Sequence, residues 1–148
     1  FLYNMEICRD SNVCGGCVYQ GVPYEEQLSN KAGEVRGLIE KKDIRYGELL
    51  DIEPAPDRYG YRNKMEFSFG DEYKDGPLAL GLHKKNSTYD IVQMDDCYIV
   101  NDDLNKIVKY TVQFCKEAGL PYYKKMQHEG LLRHLVIRRS AIWKKAVL

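Results

Sequence analysis

The stretch "YRNKMEFSF", residues 61–69, alternates without a break. Tyr61, Asn63, Met65, Phe67 and Phe69 fall on one side, and Arg62, Lys64, Glu66 and Ser68 on the other. A strand points successive side chains to opposite faces, so the segment predicts a half-buried strand whose outer face is wholly polar. "DEYKDG" then reads as a turn, and "PLALGLHKK" as the returning strand, with Leu78, Leu80 and Leu82 on one side and His83 on the other. "YDIVQM" adds a third strand, and "GELLDIEPAP" a short one ended by its prolines. "LLRHLVIRRSAIWKKAVL" closes the chain as one strand or a hairpin.

Two stretches carry helical spacing instead. In "PYEEQLSNKAGEVRGLIEKK", Tyr24, Leu28, Ala32, Val35 and Leu38/Ile39 recur on one stripe, after a starting proline and a first turn of acids. In "NDDLNKIVKYTVQFCKEAGLP", Asn101 or Asp102 caps the start. Leu104, Ile107/Val108, Thr111/Val112 and Cys115 form the stripe, and Gly119 with Pro121 stops it. The pattern predicts an α+β domain with a largely antiparallel sheet and two helices. With 148 residues, 44% of them hydrophobic and no long apolar run, one domain over 1–148 with its own core is expected. The sequence contains no signal peptide, transit peptide or transmembrane pattern. A first residue Phe and the ending "AIWKKAVL" read as a piece cut from a longer protein.

Net charge is zero, which argues against a broad polycationic surface, yet its distribution is uneven. Pro121 to Leu148 holds seven Lys/Arg and one acid, Glu129, suggesting a basic edge able to meet phosphate. Solvated charge is the plainer explanation of such a run.

"CRDSNVCGGCVYQ" carries three cysteines in the spacing Cys8-x5-Cys14-x2-Cys17. Clustered thiols in a reducing compartment are metal ligands or catalysts more often than disulfides, and five is an odd number. A tetrahedral set lacks one ligand. Cys115 lies on a helical apolar stripe and behaves as a core residue, whereas Cys97, in "MDDCYIV", sits at a strand end where a distant ligand can reach the loop. Three near thiolates and one remote favour an iron–sulfur cluster over zinc, whose structural sites come as two tight pairs. Gly15 and Gly16 suit a loop that turns its amides toward sulfur. A redox iron–sulfur protein and a zinc-stabilised binding module stay open on spacing alone.

"CGGCVYQ", "YEEQLSNK", "YGYRNKMEFSF", "LGLHKKNSTYDIV", "DDC" and "HEGLLRHLVIR" together resemble, in order, successive blocks of the RNA (uracil-5-)-methyltransferases, which form 5-methyluridine in ribosomal or transfer RNA. The resemblance implies that Cys8, Cys14, Cys17 and Cys97 hold a 4Fe–4S cluster, with the cluster-binding loop at 1–22. It further implies a cytoplasmic central domain, without the family's N-terminal OB-fold and C-terminal Rossmann-like methyltransferase domains. The S-adenosylmethionine site, the nucleophilic cysteine and the base would lie in those absent parts, and this piece alone would be inactive. No glycine-rich strand-to-helix loop of the donor-binding kind occurs here. RNA contact is expected from the polar strip Arg62, Lys64, Glu66 and Ser68, reinforced by His83, Lys84 and Lys85, with Tyr59 and Tyr61 placed to stack on splayed bases. A solvent-facing sheet with cross-strand ion pairs is the competing explanation. His128, His134 and the basic residues Arg133, Arg138, Arg139, Lys144 and Lys145 receive no role.

Overall fold

The computed structural model describes residues 7–140, 142 and 146–147. In chain order the elements are α1 (Tyr24–Lys41), β1 (Lys64–Asp71), β2 (Leu78–His83), β3 (Ile91–Gln93), α2 (Asp102–Glu117), β4 (His134–Arg139) and β5 (Ala146–Val147). The five strands form one sheet in the order β3-β2-β1-β4-β5, and every pairing is antiparallel. The α+β class, the antiparallel sheet and both helices agree with the sequence pattern.

The chain divides into two compact units. One contains Tyr19–Pro56 and so holds α1; the other contains Cys8–Val18 and Asp57–Leu148, and holds the sheet and α2. In the sheet unit, alternation on β1 sends Met65 and Phe67 inward while Lys64 and Glu66 stay exposed. Those inward residues join Leu80, Ile137, Leu104, Val108 and Val112 in one core, and Phe67, Leu80, Leu104, Val108 and Ile137 are sealed from solvent. Burying side chains of this size contributes about 1.5–3 kcal/mol each. Cys115 is also buried, as its place on the stripe predicts. At the end of α2, Gly119 takes φ +64° and the Leu120 N–H donates to the Cys115 carbonyl at 3.0 Å. The left-handed turn closes the helix.

In the other unit, α1 begins after Pro23, has Glu25 and Glu26 in its first turn and Lys41 in its last, an arrangement that complements the helix dipole. None of its residues is buried. The Ala55 N–H donates to the Tyr24 hydroxyl at 2.8 Å.

Three local expectations need correction. "GELLDIEPAP" is no strand: no ladder pairs with it, and Pro54 and Pro56 have no N–H to donate. The first long strand starts at Lys64 rather than Tyr61. Arg62 instead makes an isolated parallel bridge to Val100, its N–H donating to the Ile99 carbonyl at 2.9 Å. Asn101 occupies the N-cap of α2, but its side-chain amide donates to the Gly60 carbonyl at 2.7 Å and caps nothing. The C-terminal stretch forms the hairpin of its two alternatives, β4 with β5. Among the described residues, no helix is long and apolar enough to cross a membrane.

Candidate functional site

The cysteine loop is built from backbone hydrogen bonds. The Asp10 carbonyl accepts from Val13 N–H at 3.0 Å and Cys14 N–H at 2.7 Å, and the Cys8 carbonyl from Ser11 N–H at 3.0 Å. The loop is stitched to the end of β2: Gly15 N–H donates to the His83 carbonyl at 2.9 Å, and Lys85 N–H to the Val13 carbonyl at 2.8 Å. A Cβ at Gly16 would stand 2.6 Å from Leu82 Cδ1, so a larger residue there would have to displace that side chain. The Gly16 N–H points at Cys14 Sγ, 3.3 Å away.

Cys97 is held from the other side by α2. Its N–H donates to Asn105 Oδ1 at 3.0 Å, and Asn105 Nδ2 donates back to the Cys97 carbonyl at 3.3 Å. Asn105 is buried, so this reciprocal pair satisfies polar groups that would otherwise be orphaned. A further tie joins the two segments: Arg9 Nη2 lies 3.0 Å from Asp95 Oδ2.

The thiols act on one another. Burial pushes Cys97 up to about 11, and the neighbouring sulfurs of Cys17, Cys14 and Cys8 add to the shift, against the Ile99 N–H that donates to its sulfur. Cys14 is raised by burial first, opposed by Gly16 N–H and reinforced by Cys17, Cys8 and Asp10. Cys115 is raised by burial alone and stands apart from the group. All five cysteines are free thiols. The fold thus places Cys97 in one buried cluster with Cys14, with Cys17 packed against it. It does not draw three of them around a single point: among the described residues, no three His, Cys, Asp or Glu side chains are grouped to hold one metal ion.

The predicted RNA strip is only partly free. Lys64 and Glu66 are exposed on the outer face of β1. Lys64 lies opposite Arg138, Glu66 opposite Val136, and Ser68 is flanked by Gly81 and His134. Lys84 and Lys85, in contrast, hold loops: the Lys84 ammonium donates to the Glu72 carbonyl, and that of Lys85 to the Ser11 carbonyl at 2.5 Å. His83 is lowered by burial, then by the charges of Lys125 and His134. Tyr61 is exposed, while Tyr59 meets Tyr98 edge-on at 6.1 Å. Arg139 pairs with Asp103 at 2.7 Å. Lys144 and Lys145 lie outside the described residues.

Sequence reasoning missed the arm at residues 121–132, which doubles back beside the sheet. The Tyr123 N–H donates to the Leu132 carbonyl and the Lys124 N–H to the Glu129 carbonyl, both at 2.7 Å. Gly130, at φ +106°, permits the crossing, because a Cβ there would stand 2.1 Å from the Tyr122 carbonyl oxygen. The Tyr122 hydroxyl donates to the buried Asp71 carboxylate at 2.8 Å. His128, at φ +56°, puts Nδ1 3.1 Å from the Tyr123 hydroxyl. Only "HEG", with its glycine, hinted at a turn here.

No family model matches the chain. It is 46% identical over 134 residues to a protein of Caldanaerobacter subterraneus named an uncharacterized RNA methyltransferase, covering 90% of this chain and 30% of that protein. A protein of the same description from Clostridium acetobutylicum is 48% identical over 133 residues, covering 90% of this chain and 29% of its own length. Among solved structures, the tRNA (uracil-54, C5)-methyltransferase of Pyrococcus abyssi, in complex with S-adenosyl-L-homocysteine, aligns with a TM-score of 0.69 at 21% identity. That alignment covers 90% of this chain and 30% of the other, and it shows a shared fold. By sequence this chain is similar to a segment spanning about 30% of the length of curated proteins named RNA methyltransferases.

Proposed function

We propose that this chain is the cluster-binding, RNA-contacting part of an S-adenosylmethionine-dependent RNA (uracil-5-)-methyltransferase acting in the cytoplasm on ribosomal or transfer RNA. The observation that carries the proposal is the burial of Cys97 in one cluster with Cys14, against which Cys17 packs, in a chain similar to RNA methyltransferases. The donor site and nucleophile lie in the remaining parts of the protein, among them OB-fold and Rossmann-like domains, and this segment alone transfers no methyl group.

The donor set fits a 4Fe–4S cluster. It is all sulfur, and two backbone N–H groups already point at sulfurs. The charge of a bound metal would favour the Cys97 thiolate against the burial that raises its pKa. The cluster, when bound, supplies a cross-link; the chain's own residues bind and orient RNA. Lys64 and Arg138 stand side by side with no ion pair to either among the described residues. Like charges placed opposite each other on a sheet are unfavourable, and a phosphate relieves the repulsion. With Arg62 they form the cationic strip; Glu66 accepts from a base or sugar, and His83 extends the strip on β2. Lys84 and Lys85, with their ammoniums engaged, contribute charge rather than direct contacts.

Anaerobic incubation with iron and sulfide tests the centre. The expected result is about four iron and four sulfide per chain, lost in Cys97→Ser and kept in Cys115→Ser. Uptake of one zinc in place of iron and sulfide would instead favour the zinc-stabilised module.

A further inference from the structure

Between the arm and the outer face of the sheet lies a cleft of about 450 Å³, a volume suited to one small organic ligand. Ser68 and His134 form part of its floor, with Ser68 Oγ 3.3 Å from His134 Nδ1, and Tyr122, Tyr123 and Lys125 stand in its wall. The guanidinium of Arg133 sits over the Tyr123 ring, 3.5 Å from its centroid. Some of the charges around it are engaged, while Lys74 and Asp90, which also line it, form no ion pair among the described residues. Asp71 accepts from Tyr122, and Asp75 lies 3.5 Å from Lys124. Lys125 is exposed and forms no ion pair among the described residues. The combination is a stacking surface of tyrosines and a guanidinium beside an uncommitted ammonium.

We propose that this cleft binds a single nucleotide of the RNA strand, its base stacked among the aromatic groups and Arg133 and its phosphate held by Lys125. Planar side chains of this kind hold unstacked RNA bases, and lysine holds a phosphate as a point charge. Continuity argues for the same strand that meets the cationic strip. Lys64 and Ser68 are on one face of β1, about 13 Å apart at the rise of an antiparallel strand, a few nucleotides of RNA. The cleft would therefore anchor RNA beyond the strip and fix its register. The ligand class rests on the RNA proposal above; the cleft and its lining do not.

The test uses the 148-residue chain with uridine 5′-monophosphate, uridine and inorganic phosphate by NMR, and a labelled oligouridylate by fluorescence anisotropy. Uridine 5′-monophosphate should give saturable shifts at the Tyr123 and Lys125 amides and the His134 ring, larger than those from phosphate or uridine alone. Lys125→Glu should weaken the monophosphate about tenfold while Lys64→Glu leaves it unchanged, and either should weaken the oligouridylate. Absence of saturable shifts in the unaltered chain, or equal shifts from inorganic phosphate, would overturn the proposal. Oligouridylate weakened by Lys64→Glu but not by Lys125→Glu would remove the cleft and keep the RNA strip. Indifference to both substitutions would remove both. Lys125→Ala, with its thermal midpoint compared, guards against a folding defect.

Discussion

The two helices are of similar length and both carry an apolar stripe, yet they are packed very differently. α2 buries Leu104, Asn105, Val108, Val112 and Cys115, while α1 buries nothing and leaves Val35 52% and Leu38 54% exposed. Periodicity specifies that a segment forms a helix with a distinct face. It does not specify what lies against that face. In α2 the stripe meets the inner face of the sheet and helps place Cys97 through Asn105. α1 is supported by its helix-forming residues and its terminal charges.

The contrast is most directly broken at Leu104. Leu104→Ala should destabilise the sheet unit by about 2–5 kcal/mol, the range for emptying a sealed core position, as measured by denaturant unfolding. A loss below about 1 kcal/mol would mean that α2 is no better packed than α1. Asn105→Ala should cost about 1–3 kcal/mol, because it leaves the Cys97 N–H without its partner and the Cys97 carbonyl with only the Val100 N–H at 3.4 Å. The same variant sharpens the link between packing and the thiol site if Cys97 then reacts faster with iodoacetamide at fixed pH.

Tyr122→Phe should cost about 1–2 kcal/mol, the loss of a hydrogen bond to a charged group that keeps the Asp75 N–H as its other donor. Tyr122 also sets an alkaline limit. Burial, followed by its bond to Asp71 and the charge there, raises its pKa to about 12, above the ordinary value near 10. The protonated form is thus favoured by folding, so its contribution is complete below pH 10 and is lost as pH rises toward 12. Urea titrations across that window should show a slope that Tyr122→Phe abolishes. The smallest effect belongs to α1. Leu38→Ala should change stability by no more than about 0.5 kcal/mol, and amides of α1 should exchange with solvent faster than those of α2.

Where a residue's neighbours are near in sequence, the chain was legible. Alternation in 61–69 identified the inward Met65 and Phe67, and helical spacing identified the buried Leu104, Val108 and Cys115. "GELLDIEPAP" misled because strand propensity without a pairing partner yields no ladder. Lys84 and Lys85 counted as free cations in the sequence because nothing local reveals that Glu72 and Ser11 offer them carbonyls. The arm at 121–132 was equally hidden, since its turn depends on the left-handed His128 and on the close crossing at Gly130.

By itself the sequence determined the α+β class, the strand faces and the separation of Cys115 from the other cysteines, all of which follow from periods of 2.0 and 3.6 residues. The tertiary structure alone decided that Cys97 is buried in one cluster with Cys14 and beside Cys17, that Arg9 reaches Asp95 and that the arm borders a cleft beside β1. Each of these joins segments far apart along the chain, and no local preference encodes such a meeting. Burial and pairing across the whole sheet unit fix it.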